Sequence, residues 1–194
     1  MAILGMVLIL CNINYCLAAP FLPIFLEIRG VSATWTGFIF AIFSVASTIT
    51  SILIGEIVDK VGHKRLLAYS TLFMSACTMA FGFINYIDQN WLIIFVACIL
   101  RVGQGLAYGT INTVVYSFCA QAYTEDVEKV IAVMEGVMGI GFTLGPVLGN
   151  YIYNAMGFSM TYYFVGSTLA PTALLVLCLR KPSKSNQSKQ NDKS

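Results

Sequence analysis

The stretch Gly55-Glu56-Ile57-Val58-Asp59-Lys60-Val61-Gly62-His63-Lys64-Arg65 separates two long apolar runs and decides how this chain is organised. Asp59 lies where the first run ends, and Gly62 tolerates the left-handed backbone that a tight reversal requires. Three cations fall within the last six residues of the stretch. The pattern predicts a short, charged hinge between two helices that run in opposite directions.

Apolar sequence fills most of the chain on both sides of this hinge. Of 194 residues, 58% are hydrophobic and 10% are charged, and the mean hydropathy is +0.79. A soluble domain carries about 25% charged residues, and a bilayer-spanning helix needs about 20 apolar ones. Six windows are long enough, at about 2–26, 35–58, 66–87, 91–119, 130–156 and 160–179. The sequence therefore predicts an all-α membrane protein with a six-helix transmembrane domain over residues 1–180.

The distribution of Lys and Arg predicts the orientation in the membrane. Nine of these residues lie in the 2–3 and 4–5 connections and the C-terminal tail, whereas the opposite loops hold only Arg29. The positive-inside rule then makes both termini cytoplasmic. Residues 181–194 are polar and low in complexity, which predicts a disordered cytoplasmic tail. The first apolar run lacks a basic leader and is expected to stay as the first span.

One charge lies inside a predicted span. Arg101 would sit about 15 Å into the fourth helix, where a charge costs roughly 2.5–3.5 kcal/mol and marks a candidate functional site. The alternative is a structural arginine that snorkels or bonds a neighbouring carbonyl. A polar stripe shares its helical face, because offsets of three, four, seven and eleven residues align in a helix. The stripe consists of Arg101, Gln104, Gly105, Tyr108 and Asn112.

Polar residues of the first span reach a similar depth. Asn12 and Asn14 lie about 15 Å from its start, so both are expected near Arg101. All three side chains are then expected near the middle of the membrane. The predicted cavity and substrate residues are Asn12, Asn14, Tyr15, Tyr108 and Asn112.

The fifth span carries a glycine repeat and a carboxylate. Gly141, Gly145 and Gly149 recur every four residues and form a flat seam for another helix, while Pro146 favours a kink. Glu135 lies in the first turns of this helix, where the dipole favours an anion. It is either a proton-exchanging group for coupling or a helix-end carboxylate that reaches water.

Three of these motifs resemble signatures of the major facilitator superfamily. The spacing G-x-x-x-D-K-x-G-x-K-R resembles the family's loop between helices two and three. Arg101-x-x-Gln104-Gly105 resembles the fourth-helix signature, whose Arg is tied to proton coupling. The run G-x-x-x-G-P-x-x-G resembles the fifth-helix signature of the family's antiporters. Nearly the whole chain therefore resembles the N-terminal six-helix half, most of all in the drug:proton antiporter and vesicular amine or polyamine branch.

The resemblance implies roles for the motif residues. Arg101 and Gln104 would take part in coupling, with Glu135 as a further candidate, and the glycine seam with Pro146 would be the antiporter-like motif. The family normally has two six-helix halves with the substrate between them. The seam would then pack against the second half. The first and fourth helices of the family both line the central cavity, so Tyr15 and Tyr108 could bind an organic cation there through cation–π contacts. The cytoplasmic gate would comprise Gly55, Asp59, Lys60, Gly62, Lys64 and Arg65.

The function implied is secondary active transport of a small organic solute. An organic cation, amine or drug-like compound exchanged for protons is favoured, in the plasma membrane or an intracellular vesicle membrane. Cys11 departs from the amine transporters, which carry Asp at that position. The second half would be a missing C-terminal half or a second copy, so the chain is a fragment, a truncated gene product or a dimerising half. The alternative function is a non-transporting scaffold or regulator of a full-length relative.

The sequence contains little evidence for other classes of function. No nucleophile–base pair, metal-ligand cluster or nucleotide-binding loop occurs, so neither an enzyme, a metal site nor a cofactor is expected. The six cysteines lie in or at the ends of apolar runs and are expected to be packing residues. The expected partners are the lipid bilayer, the solute and protons, with no nucleic acid.

Overall fold

The computed structural model describes residues 2–178 and is helical from end to end. Within this range five helices are long and apolar enough to cross a bilayer, which confirms an all-α membrane protein. The predicted tail at 181–194 and the last residue of the predicted sixth span lie outside the described residues. The elements are α1 (Ala2–Ile28), α2 (Ala33–Val61), α3 (His63–Phe81), a 3-10 helix (Gly82–Tyr86), α4 (Asn90–Ala122) and α5 (Val127–Cys178).

The last helix folds back on itself at Gly157. This residue has a φ of 79° and a ψ of −179°, which no helix continues. A straight helix would separate Gly141 from Val165 by about 36 Å. Instead Gly141 packs on Asn12, and Val165 accepts a hydrogen bond from nearby Asn14. Segments 127–156 and 158–178 therefore run in opposite directions beside α1, while six separate membrane crossings and their orientation stay a prediction.

The helices pack in pairs. α1 lies along α5 and α2 along α4, and α3 contacts both α4 and α5. The ends of the bundle differ in their content of Lys and Arg. The basic end carries Lys60, Lys64, Arg65 and Lys129, and Arg29 lies at the opposite end. A buried apolar cluster fills the bundle towards each end.

Small residues bring α2 and α4 into backbone contact. A Cβ built on Gly105 would lie 2.5 Å from the carbonyl oxygen of Phe43. One turn later, Gly109 packs on the backbone of Ser47. These approaches leave no room for a side chain, so the two helices are fixed at close range beside Arg101.

The glycine seam of α5 faces α1, and its predicted packing against a second half is wrong. A Cβ on Gly141 would lie 2.8 Å from the Cβ of Asn12, and one on Gly145 would lie 2.8 Å from the Cβ of Cys16. Gly149 meets the side chains of Leu17 and Phe21 in the same way. The repeat specified a close approach, but periodicity alone identifies the face of a helix and not the helix that covers it.

Candidate functional site

Arg101 is enclosed by aromatic rings. Its side chain is 1% exposed, and its Cζ lies 5.1 Å from the ring centroid of Phe81, 5.3 Å from Phe40 and 5.8 Å from Phe43. These distances suit cation–π contacts. Nε and Nη2 find no hydrogen-bond partner among residues 2–178. Aromatic faces, and not a carboxylate, therefore surround this charge, and we name these three rings the aromatic cage.

A second polar group lies beside the cage, between four helical segments. The Thr78 hydroxyl donates to Asn14 Oδ1 at 2.6 Å and accepts from Gln104 Nε2 at 3.1 Å. Asn14 Nδ2 in turn donates to the Val165 carbonyl at 3.4 Å. All three polar side chains are buried, and Gln104 Oε1 lacks a partner in the described part of the chain. The network joins α1, α3, α4 and segment 158–178, and sequence reasoning missed Thr78.

The predicted tyrosines meet at an aromatic cluster made of Tyr15, Phe43, Tyr108 and Phe142. Tyr15 lies 4.8 Å from Phe43, 5.3 Å from Tyr108 and 5.9 Å from Phe142, measured between ring centroids. The Tyr108 hydroxyl donates to Asn12 Oδ1 at 2.8 Å, which fixes its ring. Phe43 also belongs to the aromatic cage, so the cluster and the cage are continuous. Both tyrosines are only half-buried, which leaves the cluster open on one side.

The predicted neighbours of Arg101 separate into different groups. Asn12 bonds Tyr108, and Asn14 bonds Thr78, so neither amide has a hydrogen bond to the guanidinium within residues 2–178. The expectation that both asparagines lie near Arg101 stays a prediction, and the guanidinium itself is surrounded by the rings of the aromatic cage. Depth along a helix could be counted from the sequence, but the helix facing Arg101 could not.

Two further candidates on α4 and α5, and Cys11 on α1, lie apart from the cage. Asn112 donates to the Tyr108 carbonyl on its own helix at 2.9 Å. Glu135 is exposed and accepts a hydrogen bond from the Tyr116 hydroxyl at 2.7 Å. Cys11 is buried in the apolar cluster nearer the basic end. The carboxylate therefore contacts α4 closer to that end and does not pair with Arg101.

The hinge stretch is attached to the end of α4. Asp59 Oδ1 accepts a hydrogen bond from Gln121 Nε2 at 2.6 Å, and His63 Nε2 lies 3.0 Å from Ser117 Oγ. Gly62 adopts a φ of 95°, as the reversal requires. Sequence reasoning missed Ser117 and Gln121, because polar residues near a helix end are common.

A cleft of about 840 Å³ opens at this hinge. Five of the six predicted gate residues line it, and Gly55 does not. We name it the basic cleft. Its lining residues are Asp59, Lys60, Val61, Gly62, His63, Lys64, Arg65, Phe118, Gln121, Ala122 and Leu177.

Arg29 connects two loops at the end of the bundle opposite the hinge. Its Nη1 donates to the Ile87 carbonyl at 2.8 Å and its Nη2 to the Asn85 carbonyl at 2.9 Å. Asn90 Nδ2 donates back to the Arg29 carbonyl at 2.9 Å. The α1–α2 loop is thereby joined to the connection before α4. Sequence reasoning used Arg29 only as a marker of orientation.

The chain is similar in sequence to known membrane transporters. A family model described as Major Facilitator Superfamily matches residues 3–194. The chain is 25% identical over 181 residues to the MFS-type transporter SLC18B1 of Rattus norvegicus, covering 93% of this chain and 40% of that relative. It is also 25% identical over 176 residues to the multi-drug resistance efflux pump PmrA of Streptococcus pneumoniae, covering 89% of this chain and 42% of the pump.

The chain thus spans about 40% of the length of the curated relatives it matches. Its apolar helices and these similarities make it an integral, multi-pass membrane protein of the plasma membrane or a vesicle membrane. The family match covers every residue of the hinge, the cage and the glycine seam. The chain belongs to the Major Facilitator Superfamily.

Proposed function

We propose that this chain forms the N-terminal six-helix half of a secondary active transporter that exchanges a small organic cation or drug-like solute for protons. The observation that carries the proposal is the half-buried aromatic cluster, open on one side and continuous with the cage around Arg101. A soluble core would close such a cluster completely. An opening lined by tyrosine rings suits a solute with apolar surface and positive charge.

The proposed architecture has six crossings with both termini in the cytoplasm. Segments 127–156 and 158–178 of α5 would each cross once, joined by the reversal at Gly157. A second six-helix half, either a C-terminal half or a second copy, would close the open side of the aromatic cluster. Rocking of the two halves about this site would expose it to each side in turn.

Solute recognition in this proposal rests on aromatic faces. Tyr15 and Tyr108 offer rings to a cation, and the bond from Asn12 orients one of them. Cys11 lies in an apolar cluster, so this half supplies no carboxylate at that position. Recognition by ring faces tolerates cations of different shapes, which suits the drug efflux pumps among the relatives.

Coupling is assigned to Arg101 and Gln104, with Glu135 as the proton-exchanging carboxyl. An arginine stays protonated in proteins, so Arg101 would act as a fixed positive field and not as the proton carrier. That field opposes a cation in the aromatic cluster, because the two share Phe43. The Tyr116 hydroxyl bound to Glu135 gives the carboxyl a partner on α4. Proton binding and solute binding could then alternate.

Sealed vesicles with an imposed proton gradient test this proposal, with tetraphenylphosphonium as the labelled probe. Gradient-driven uptake is expected to stop in Arg101→Ala and to persist in part in Arg101→Lys. Tyr108→Leu should raise KM about fivefold because a cation–π contact is lost, whereas Tyr108→Phe keeps the ring and should stay within about twofold.

Two outcomes would contradict the assignment. Wild-type uptake by Arg101→Ala would remove its coupling role. A stable monomer that takes up no probe under any gradient would favour the non-transporting scaffold or regulator.

A further inference from the structure

The basic cleft has a strongly positive lining. Its described lining residues include Lys60, Lys64 and Arg65 but a single acid, Asp59. That carboxylate already accepts a hydrogen bond from Gln121 at 2.6 Å. Cations outnumber carboxylates in the described lining, and this local surplus would attract an anion.

Backbone donors add to this charge. α3 begins inside the cleft at His63, directly after Gly62, and this N-cap residue gives the first turn no side-chain hydrogen bond. The first N–H groups of a helix lack carbonyl partners, and the helix dipole is positive at that end. Together with the neighbouring cations, this turn forms a cradle suited to phosphate oxygens.

The cleft lies at the edge of the membrane-spanning helices. Its lining includes Val61 and Ala122, the last residues of α2 and α4, and Leu177 close to the end of α5. Leu174, one turn away from Leu177, is 62% exposed, and Tyr69, one turn beyond Arg65, is 66% exposed. An apolar path therefore leads from the charged cradle towards the interior of the bilayer.

We propose that the basic cleft binds the headgroup of an anionic phospholipid. Lys60, Arg65 and the first turn of α3 hold the phosphate, and an acyl chain lies along Leu174 and Tyr69. Free phosphate shares the headgroup chemistry, but it has no use for the apolar path. Basic pockets at helix ends are known to recognise anionic lipids by this combination of charge and apolar wall. The site overlaps the predicted cytoplasmic gate, but lipid retention is measured without transport, so this proposal succeeds or fails separately from the proposed transport function.

The test uses the purified protein in detergent, with native mass spectrometry to count retained lipid after exposure to mixed vesicles. The vesicles contain equal parts of phosphatidylcholine and phosphatidylglycerol. We expect selective retention of phosphatidylglycerol and a higher melting temperature in its presence. The double variant K60Q/R65Q should lower the affinity about 25-fold, because each cation near an anionic headgroup contributes roughly a fivefold factor.

Two further variants make the result specific. Lys129→Gln serves as the control, because Lys129 lies at the same end, pairs with Asp126 at 2.6 Å and does not line the cleft. The double variant K60R/R65K retains both charges, so its retention should match wild type even if K60Q/R65Q folds poorly. Equal retention of both lipids, or equal losses in K60Q/R65Q and Lys129→Gln, would overturn the proposal. Stabilisation by inorganic phosphate equal to that by phosphatidylglycerol would overturn the lipid assignment.

Discussion

Two arginines of this chain differ in the hydrogen-bond partners of their guanidinium groups. Arg29 donates both terminal nitrogens to backbone carbonyls, whereas Nε and Nη2 of Arg101 lack a partner among the described residues. A buried charge without a matching acceptor costs stability, since cation–π contacts replace only part of its hydration. We therefore expect Arg101 to lower the stability of the fold, which its proposed role in coupling would explain.

Substitution by methionine should separate the two cases. Arg101→Met fills similar volume without charge, so we expect the free energy of unfolding to rise by about 1–4 kcal/mol while gradient-driven transport is lost. Arg29→Met leaves the carbonyls of Asn85 and Ile87 without their donors. We expect this change to lower the free energy of unfolding by about 1–3 kcal/mol. Thermal unfolding in detergent measures both. Lower stability in Arg101→Met would show that the guanidinium has partners after all.

Sequence reasoning located Arg101 along its helix but did not identify the aromatic rings around it. The position of Arg101 along its helix could be counted from Asn90, and the structure buries it. Its cage could not be anticipated, because Phe40 on α2 belongs to the same apolar run as Phe38, which is 51% exposed. Only the packing of α2 on α4 decides which ring turns inwards.

At the scale of helices, the glycine repeat likewise predicted a contact but not the helix that makes it. Its four-residue spacing predicted a close approach, which the structure has, but α1 and not another half provides the opposing surface. The attachments of the hinge to Ser117 and Gln121 were likewise absent from the prediction. Both depend on which helix ends lie side by side, and this requires the three-dimensional arrangement.

Two glycines of α5 allow a matched test of the seam. A methyl group at Gly141 would lie 2.8 Å from the Ile9 carbonyl oxygen, which cannot move without displacing α1. No other described atom comes within 4 Å of the same position at Gly139, apart from the backbone of its own helix. Gly141→Ala should therefore lower the free energy of unfolding by about 1–3 kcal/mol, whereas Gly139→Ala should leave it unchanged or raise it.

Thermal unfolding of the two variants in the same detergent decides the matter. Identical melting temperatures would mean that α1 does not cover the seam, and its packing against a second half would again be the better explanation.

For the whole molecule, the reversal at Gly157 and the uneven distribution of Lys and Arg between the two ends predict the same topology. Segment 158–178 returns to the basic end, where Leu177 meets the hinge residues. If both α5 segments cross the bilayer, the loop of Arg29 lies on one side and the loops of Lys60, Lys64, Arg65 and Lys129 lie together on the other. The positive-inside rule makes that side the cytoplasm.

Chemical labelling can test this orientation, because lysine is missing from the loops at the opposite end. A membrane-impermeant amine reagent should leave wild type unlabelled in sealed cells and label it in opened membranes. Asp88→Lys places an amine in the exposed connection before α4, at the opposite end, and should be labelled in sealed cells. Labelling of Lys60 from outside would invert the topology. Labelling confined to the lysines after residue 178 would show that α5 crosses only once.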